Sequence, residues 1–251
     1  MTRNTWIIFT VIVLALFGGL VYLSSGDKVD VAEIDQTKVQ PATEASGNIA
    51  EHTFGNADSK VILTEYADYQ CPGCKSAAQP IQLITEKYKD QLGFVFRAFP
   101  LTSIHPNAIA AAATAEVAGF EGKYWEMHDL LYENQESWSS ASATERTDLF
   151  ASYAKQLGID EADFKSTLEE RKEDINKKID FDQALGRKSG VDGTPTFFLN
   201  GEKVDQMVKD GKIVPAGTEG ATNVWAVPES FDKLILQPAF KEAGIDISTV
   251  E

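Results

Sequence analysis

This 251-residue chain has two cysteines, Cys71 and Cys74, with two residues between them. Their thiols are the side chains best suited to chemistry. The apolar run at 61–67 is typical of a buried parallel strand, and helical spacing follows the second cysteine. Pro72 suits a first helical position, which places Cys71 at the helix N-terminus. Backbone N–H groups and the helix dipole stabilise a thiolate there. We therefore expect Cys71 to be the nucleophile and Cys74 the resolving thiol.

Two other interpretations of the cysteine pair have to be weighed. A structural zinc site requires four ligands. The only further candidates of a suitable type, His52, His105 and His128, are scattered along the chain, so we expect no metal site. A purely structural disulfide remains possible, although so short a loop constrains little of the unfolded chain. Redox chemistry is the preferred interpretation.

Two further features lie where redox chemistry would need them. Glu65 interrupts the apolar strand six residues before Cys71, and an ionised carboxylate buried there is costly without a purpose. Far downstream, Pro195 stands near the start of another predicted strand at 191–201. Proline cannot donate to a sheet ladder, and a cis Thr194–Pro195 bond would suit the bend.

With these pieces the chain resembles the thioredoxin superfamily, specifically its DsbA-like branch of extracytoplasmic thiol–disulfide oxidoreductases. The resemblance covers about residues 50–245. Besides the cysteine motif and the Pro195 region, it takes in the segments 96–101, 104–108 and 122–128. Together these segments are far more specific than two cysteines at this spacing.

The resemblance implies a role for each matching residue. Cys71 corresponds to the attacking cysteine and Cys74 to its buried partner. Pro195 corresponds to the cis-proline that faces the disulfide and helps to dock the substrate backbone. Glu65 corresponds to the buried acid that relays a proton to or from the second cysteine.

The same resemblance places substrate-binding residues around the nucleophile, at Thr194, Pro72 and Gly73. It implies no cofactor beyond a redox-active disulfide between the two cysteines. The chain departs from the family in two places. The dipeptide between the cysteines is Pro-Gly, without the histidine of the strongest oxidants, and a long segment at 205–227 stands where relatives have a short turn.

The expected fold class is α/β, a thioredoxin-like fold with a helical insertion at about 101–190. The insertion would separate a strand–helix–strand unit, expected to be right-handed, from the strands after Val191. A long helix is predicted from Asp160 onward, capped by that residue. Within 205–227, the turn signal Lys209-Asp210-Gly211-Lys212 predicts a β-hairpin.

Four regions are expected along the chain. Residues 1–5 would be a cytoplasmic N-terminus, and the uncharged apolar run 6–23 is near the length of a bilayer span. Charges on either side of it place the N-terminus inside the cell. A cleaved signal peptide is the competing interpretation. Residues 24–50 lack aromatic residues and predict a flexible, disordered stalk, which leaves 51–251 as the catalytic domain.

The net charge of −15 argues against nucleic-acid binding, which favours basic patches. We expect a membrane-anchored, extracytoplasmic dithiol oxidase, because disulfides persist in that compartment. Its partners would be exported proteins with free thiols or disulfides and a quinone-linked membrane protein that restores the disulfide, as the resemblance implies. A reductase or isomerase fed by a membrane electron donor is the first alternative. A non-catalytic module that binds exported proteins is the second.

Overall fold

A five-stranded sheet organises the protein, whose computed structural model describes residues 29–250 together with Thr10, Ile12 and Val13. Its strands lie in the order β1-β3-β2-β4-β5. Only β2 and β3 run parallel, while the other neighbours are antiparallel. The strand bounds are β1 (Thr53–Gly55), β2 (Ile62–Ala67), β3 (Gly93–Ala98), β4 (Thr196–Leu199) and β5 (Glu202–Lys203).

The predicted strand–helix–strand unit is confirmed, since helix α1 (Pro72–Lys87) connects the parallel strands β2 and β3. Every residue of β2 and β3 is buried, as the continuous apolar run predicts for a central parallel pair. Strand β2 lies between β3 and β4. The C-terminal end of β2 therefore delivers the cysteine loop at the centre of the sheet.

Six helices form the insertion between β3 and β4, which confirms the expected helical insertion. The fourth of them begins with a capping box between Ser142 and Glu145, the arrangement that satisfies two unpaired N–H groups of a first turn. The long helix expected from Asp160 is instead two helices that meet at Arg171. The bounds are α2 (Ala108–Phe120), α3 (Tyr124–Glu133), α4 (Gln135–Ser139), α5 (Ala143–Gln156), α6 (Glu161–Glu170) and α7 (Lys172–Lys188).

Two apolar clusters cover the sheet. The first joins the insertion to the cysteine loop and contains Tyr69, Phe96 and Trp138. The second lies with α1 and the C-terminal helices and contains Leu63 and Phe240. Burial of each such side chain stabilises the folded state by about 1.5 to 3 kcal/mol. Helix α1, at the start of which the cysteines lie, is therefore held between two substantial cores.

The segment at 205–227 forms a small sheet of its own. Strands β6 (Met207–Lys209) and β7 (Lys212–Val214) pair antiparallel across the predicted turn, which confirms the hairpin. A short third strand, β8 (Thr222–Asn223), pairs with β6. The chain then ends in α8 (Pro228–Phe231), a π-helical stretch (Asp232–Leu236) and α9 (Gln237–Ala243).

The structure corrects the expectation of a solvated stalk over 24–50 for the part that it describes from Val31 onward. Arg97 of β3 is buried and donates to Glu51, to Tyr66 and to the backbone oxygens of Gln36 and Lys38. A turn at Glu44–Ser46 packs so closely on α7 that a Cβ on Gly47 would overlap the carbonyl of Asp174. Polar and ionic contacts, which a composition rule does not foresee, hold this segment.

Lys188, at the end of α7, adds a second attachment for the same segment. Its ammonium group donates to the backbone oxygens of Val31, Ala32 and Ile34 at 2.7 to 3.0 Å. The apolar run 6–23, expected to be a membrane anchor, lies outside the described residues except at three positions. Among the residues that are described, no helix has the length and apolar character to cross a bilayer.

Candidate active site

The two cysteines lie at the start of α1, as predicted. Cys71 is the N-cap residue with an extended backbone, and Pro72 occupies the first helical position. Cys74 follows one turn inside the helix and is fully buried, whereas 9% of Cys71 is exposed. Both are free thiols in this structure. Only Cys71 is therefore open to attack on another molecule.

The surroundings of the two thiols shift their pKa values in opposite directions. Hydrogen bonds from the Cys74 thiol, from the Thr194 side chain and from the backbone N–H groups of Cys74 and Gly73 lower the pKa of Cys71 to about 5, against the opposing effect of burial. Burial, the hydrogen bond to Cys71 and the charge of Glu65 raise the pKa of Cys74 well above its ordinary value. Cys71 is thus a thiolate at neutral pH, while Cys74 keeps its proton.

Glu65 lies in the middle of β2, between Phe96 of β3 and Phe197 of β4. Only 2% of it is exposed. Burial, and secondarily the charge of Cys71, raises the pKa of its carboxyl to about 8. A carboxyl with such a pKa can exchange a proton near neutral pH, which suits it to general acid–base work.

Pro195 abuts the cysteine motif, and the Thr194–Pro195 peptide bond is cis, as predicted. A Cβ placed on Gly73 would lie 3.4 Å from the ring of Pro195 and 3.6 Å from the sulfur of Cys71. The Cys71 sulfur is 3.5 Å from the backbone oxygen of Thr194. The sequence-predicted residues Cys71, Pro72, Gly73, Thr194 and Pro195 therefore form one continuous surface.

The insertion holds the loop before Cys71 through residues that the sequence did not single out. Gln135 of α4 is buried and donates to the backbone oxygens of Tyr69 and Cys71 at 2.7 and 2.9 Å. Gln70 donates to Ser139 and accepts from the backbone of Asn107. Gln135 and Gln70 belong to no sequence motif, and only the folded insertion brings their amides and the cysteines together.

Asp68 positions the same loop from inside. Its carboxylate accepts hydrogen bonds from the backbone N–H groups of Gln70 and Leu101 and contacts Nδ1 of His105 at 2.7 Å. Its own N–H lies 3.5 Å from the sulfur of Cys74. His105 therefore orders the edge of the site without reaching the sulfurs.

Replacing Thr194 with valine should raise the pKa of Cys71 by about one unit, because a hydrogen bond to the thiolate is lost. The Thr194 hydroxyl is buried and makes no hydrogen bond to another neutral group among the described residues, which leaves it free to donate to the Cys71 thiolate. One unit is worth about 1.4 kcal/mol, or about 30 mV for a two-electron couple. Ultraviolet absorbance of the thiolate, followed through a pH titration, measures the pKa. An unchanged pKa would exclude the hydroxyl as a donor.

Replacing Gly73 with histidine should make the protein more oxidising. A Cβ there meets its neighbours at ordinary contact distances, so the side chain fits beside the sulfur of Cys71. An imidazolium close to the thiolate should lower the pKa of Cys71 by about one to three units, about 30 to 90 mV in potential. Gly73→Ala is the matched control, since it fills the same space without charge. Equal potentials for the two variants would contradict the electrostatic account.

In the part of the chain that is described, no group of three or more His, Cys, Asp or Glu side chains is arranged to hold a metal ion. The site consists instead of an ionised and a protonated thiol, a buried acid and a cis-proline. This is the arrangement of a thioredoxin-like redox protein, which exchanges disulfides through a low-pKa cysteine at a helix N-terminus.

Comparisons with known proteins agree with this class. The family model described as Thioredoxin matches residues 47–214, more than half of the chain, and the chain therefore belongs to this thioredoxin family. Among curated proteins, the Na(+)/H(+) antiporter NhaA 1 of Salinispora arenicola is 37% identical over 153 residues. That match covers 61% of this chain but 22% of the antiporter, so the chain spans only a small part of the length of this relative.

Two solved structures have the same fold. BdbD from Bacillus subtilis gives a TM-score of 0.56 at 21% identity, covering 82% of this chain and 98% of that one. The thiol-disulfide exchange protein alpha-DsbA2 from Wolbachia pipientis gives 0.54 at 24% identity, covering 64% and 81%. The chain thus has the thioredoxin-like fold with a helical insertion that DsbA-type oxidoreductases have.

Proposed function

We propose that this protein is a thiol–disulfide oxidoreductase that introduces disulfides into exported proteins through Cys71 and Cys74. The observation that carries the proposal is the separation of the two thiols, with the pKa of Cys71 lowered to about 5 and that of Cys74 raised. The fold of DsbA-type enzymes supports it.

The exchange begins with the disulfide form of the enzyme. A client thiolate attacks the sulfur of Cys71, forming a client–Cys71 mixed disulfide and releasing the sulfur of Cys74. Because the pKa of Cys74 is raised, its sulfur takes a proton, which Glu65 is placed to supply. A second client thiolate then attacks the client sulfur of the mixed disulfide. The client leaves oxidised, and the enzyme keeps a Cys71 thiolate and a Cys74 thiol.

The low pKa of Cys71 favours oxidation over reduction of clients. A thiol with a pKa of about 5 is about 99% ionised at pH 7, which stabilises the reduced enzyme by about 2.7 kcal/mol, or about 60 mV. Because the pKa of the folded state lies below that of a free thiol, this stabilisation grows as pH rises from about 5 to about 9. It is lost as pH falls through 5.

Pro195 is placed to bind the client backbone, with Thr194, Pro72 and Gly73 forming the adjoining surface. The reduced enzyme would then be reoxidised by a membrane protein of the quinone-linked type. An anchor at 6–23 would hold the catalytic domain near that partner on the extracytoplasmic side. The uncharged composition of 6–23 and the oxidising character of Cys71 support this location.

Catalysis of client oxidation tests the proposal. The full chain in detergent, at catalytic concentration, is added to reduced ribonuclease A with glutathione disulfide as the terminal oxidant. We expect regain of ribonuclease activity to be accelerated severalfold over glutathione disulfide alone. No acceleration, together with faster reduction of insulin disulfides by dithiothreitol, would contradict the oxidase and favour the reductase.

A further inference from the structure

A small cavity between α1, α3 and the sheet reaches the carboxyl of Glu65. Besides Glu65, its lining includes Ile81, Phe94, Trp125 and His128. The cavity leaves about 40 Å³ for the centres of water molecules. About 10 to 15 Å³ is enough for one water when polar partners are present, so the cavity is large enough for water.

Two buried polar groups that line this cavity lack a protein partner. Burial and the charge of Cys71 set the pKa of the Glu65 carboxyl, with no contribution from a hydrogen bond or an ion pair to a described residue. His128 is 6% exposed, and its Nε2 atom is buried without a hydrogen-bond partner among the described residues. Buried polar atoms are normally satisfied by protein or by ordered water. Water shared by Glu65 and His128 would satisfy both.

The ring of His128 is fixed so that Nε2 can accept a proton. Its Nδ1 lies 3.0 Å from a carboxylate oxygen of Asp129, which favours the tautomer with the proton on Nδ1. Phe96, Trp125 and Tyr132 surround the ring at centroid distances of 5.0 to 5.2 Å. Asp129 itself is partly exposed, with 39% of its side chain open to solvent. The pair thus joins a buried cavity to the surface.

We propose that His128 relays protons between Glu65 and solvent, through water in this cavity, during disulfide exchange at Cys71 and Cys74. This inference rests on the proposed function. Since His128 acts through Glu65 and does not touch the sulfurs, it is a positioning residue for the relay.

The proton balance of the relay is simple. When the disulfide is attacked, the released sulfur of Cys74 takes the proton of Glu65. The carboxylate of Glu65 then recovers one proton through the cavity water from Nε2 of His128, while Nδ1 of His128 takes one proton from solvent beside Asp129. This leaves His128 with its proton on Nδ1, and its free Nε2 accepts the proton when the path runs in reverse. During reoxidation the thiol proton of Cys74 leaves by the reverse path. No electron passes through His128, and each exchange moves one proton along the path.

The charged and titratable groups around His128 come from strand β2, the loop after it and two helices. Strand β2 contributes Glu65, and the loop after it contributes Tyr69. Helix α1 contributes Glu86 to the cavity lining, and α3 contributes Asp129 and Tyr132. The neighbouring residues of β1 and β3 that line the cavity, Phe54 and Phe94, are uncharged. A proton that arrives at His128 is therefore surrounded by acidic groups.

The test compares the full-length wild type with His128→Gln, which keeps a polar side chain that cannot carry a proton. His52→Gln is the matched control, because His52 stacks on Tyr124 and pairs with Glu116 outside the cavity. The reaction is single-turnover reduction of the oxidised enzyme by glutathione, followed from pH 5 to pH 9 in water and in heavy water.

We expect His128→Gln to slow this step at least tenfold below about pH 8, within the range of general acid–base effects, and to enlarge the solvent isotope effect. A relay speeds both directions equally, so the equilibrium constant with glutathione should change less than twofold. His52→Gln should match the wild type. Glu65→Gln should also slow the step, and the double variant should be no slower than the slower single variant, because both lie on one path.

Three outcomes would overturn the relay. His128→Gln could react as fast as the wild type. Its rate and equilibrium constant could instead shift together with an unchanged pH profile, as a packing role predicts. Its effect could also add fully to that of Glu65→Gln. If His128→Gln does not fold by near-ultraviolet circular dichroism, Asp129→Asn decides, with at least about a threefold slowing expected and an unchanged rate contradicting the relay. An inactive wild type would instead contradict the proposed function itself.

Discussion

Replacing Cys71 with serine should abolish disulfide exchange, with a loss of at least about 1,000-fold in the rate of client oxidation. Cys71 is the only thiol of the pair that reaches the surface and the only one held as a thiolate at neutral pH. A serine hydroxyl cannot form the mixed disulfide. Regain of activity by a reduced client measures the loss.

The matched variant is Cys74→Ser, which should fail in a different way. It keeps the Cys71 thiolate, which can still attack the disulfide of an oxidised client, and removes the Cys74 thiol that attacks the resulting mixed disulfide in the reverse direction. Client–Cys71 adducts should therefore accumulate on non-reducing gels. The pKa of Cys71 should also rise, because the Cys74 thiol is the largest contributor to its lowering. Adducts with Cys71→Ser, or faster alkylation of Cys74 than of Cys71 in the wild type, would contradict the order of attack.

Replacing Glu51 with alanine should lower the free energy of unfolding by about 3 to 5 kcal/mol, because it leaves Arg97 as a buried charge without its partner. The two side chains are almost completely buried and form an ion pair. Glu51 also accepts from the backbone N–H of Gln40, so the change also removes one contact that holds the N-terminal segment. Urea unfolding followed by tryptophan fluorescence measures the change.

The control for Glu51→Ala is Glu44→Ala, an exposed acid in the same segment, for which a change within about 0.5 kcal/mol is expected. A small effect of Glu51→Ala would show that the segment at 31–51 contributes little to the fold. The expectation of a solvated stalk would then apply to it after all.

The cysteine site could be predicted from sequence because its signals are local or belong to motifs. Cys71 and Pro72 mark a helix start by residue type alone. Pro195 can be identified because proline is unusual in a run of residues that predicts a strand. A carboxylate in an apolar run identifies Glu65 without any knowledge of its neighbours. In each case the residue type is either unusual for the predicted strand that contains it or typical of the end of a helix.

The supports of the site could not be predicted, because their partners are distant in sequence. Gln135 reaches the loop before Cys71 only when α4 is in place, and nothing in its own segment shows this. In the sequence, Arg97 is one charge in an apolar strand, and its partner Glu51 directly follows the expected stalk with no local signal that it is buried. Low hydrophobicity predicts that a segment is disordered. Such a segment becomes ordered when it supplies the partner of a charge that is buried elsewhere in the chain.

The division of the long helix expected from Asp160 shows another limit. The apolar stripe of 164–179 has helical spacing throughout, and the periodicity cannot reveal a break at Arg171. The side chain of Arg171 lies over the ring of Phe120 at 4.3 Å, a contact with α2 that only the folded insertion provides. The local spacing of apolar residues thus predicts that this region is helical, whereas tertiary contacts determine where its helices begin and end.

Equilibration with glutathione, combined with a thiolate titration of the reduced protein, tests the central claim most directly. With a Cys71 pKa of about 5, the potential should lie on the order of 50 mV above the about −270 mV of thioredoxin, whose cysteine has a pKa near 7. The titration should show one thiolate forming near pH 5 and none from Cys74 up to pH 9. A Cys71 pKa near 8.5, with a potential as low as that of thioredoxin, would contradict an oxidase.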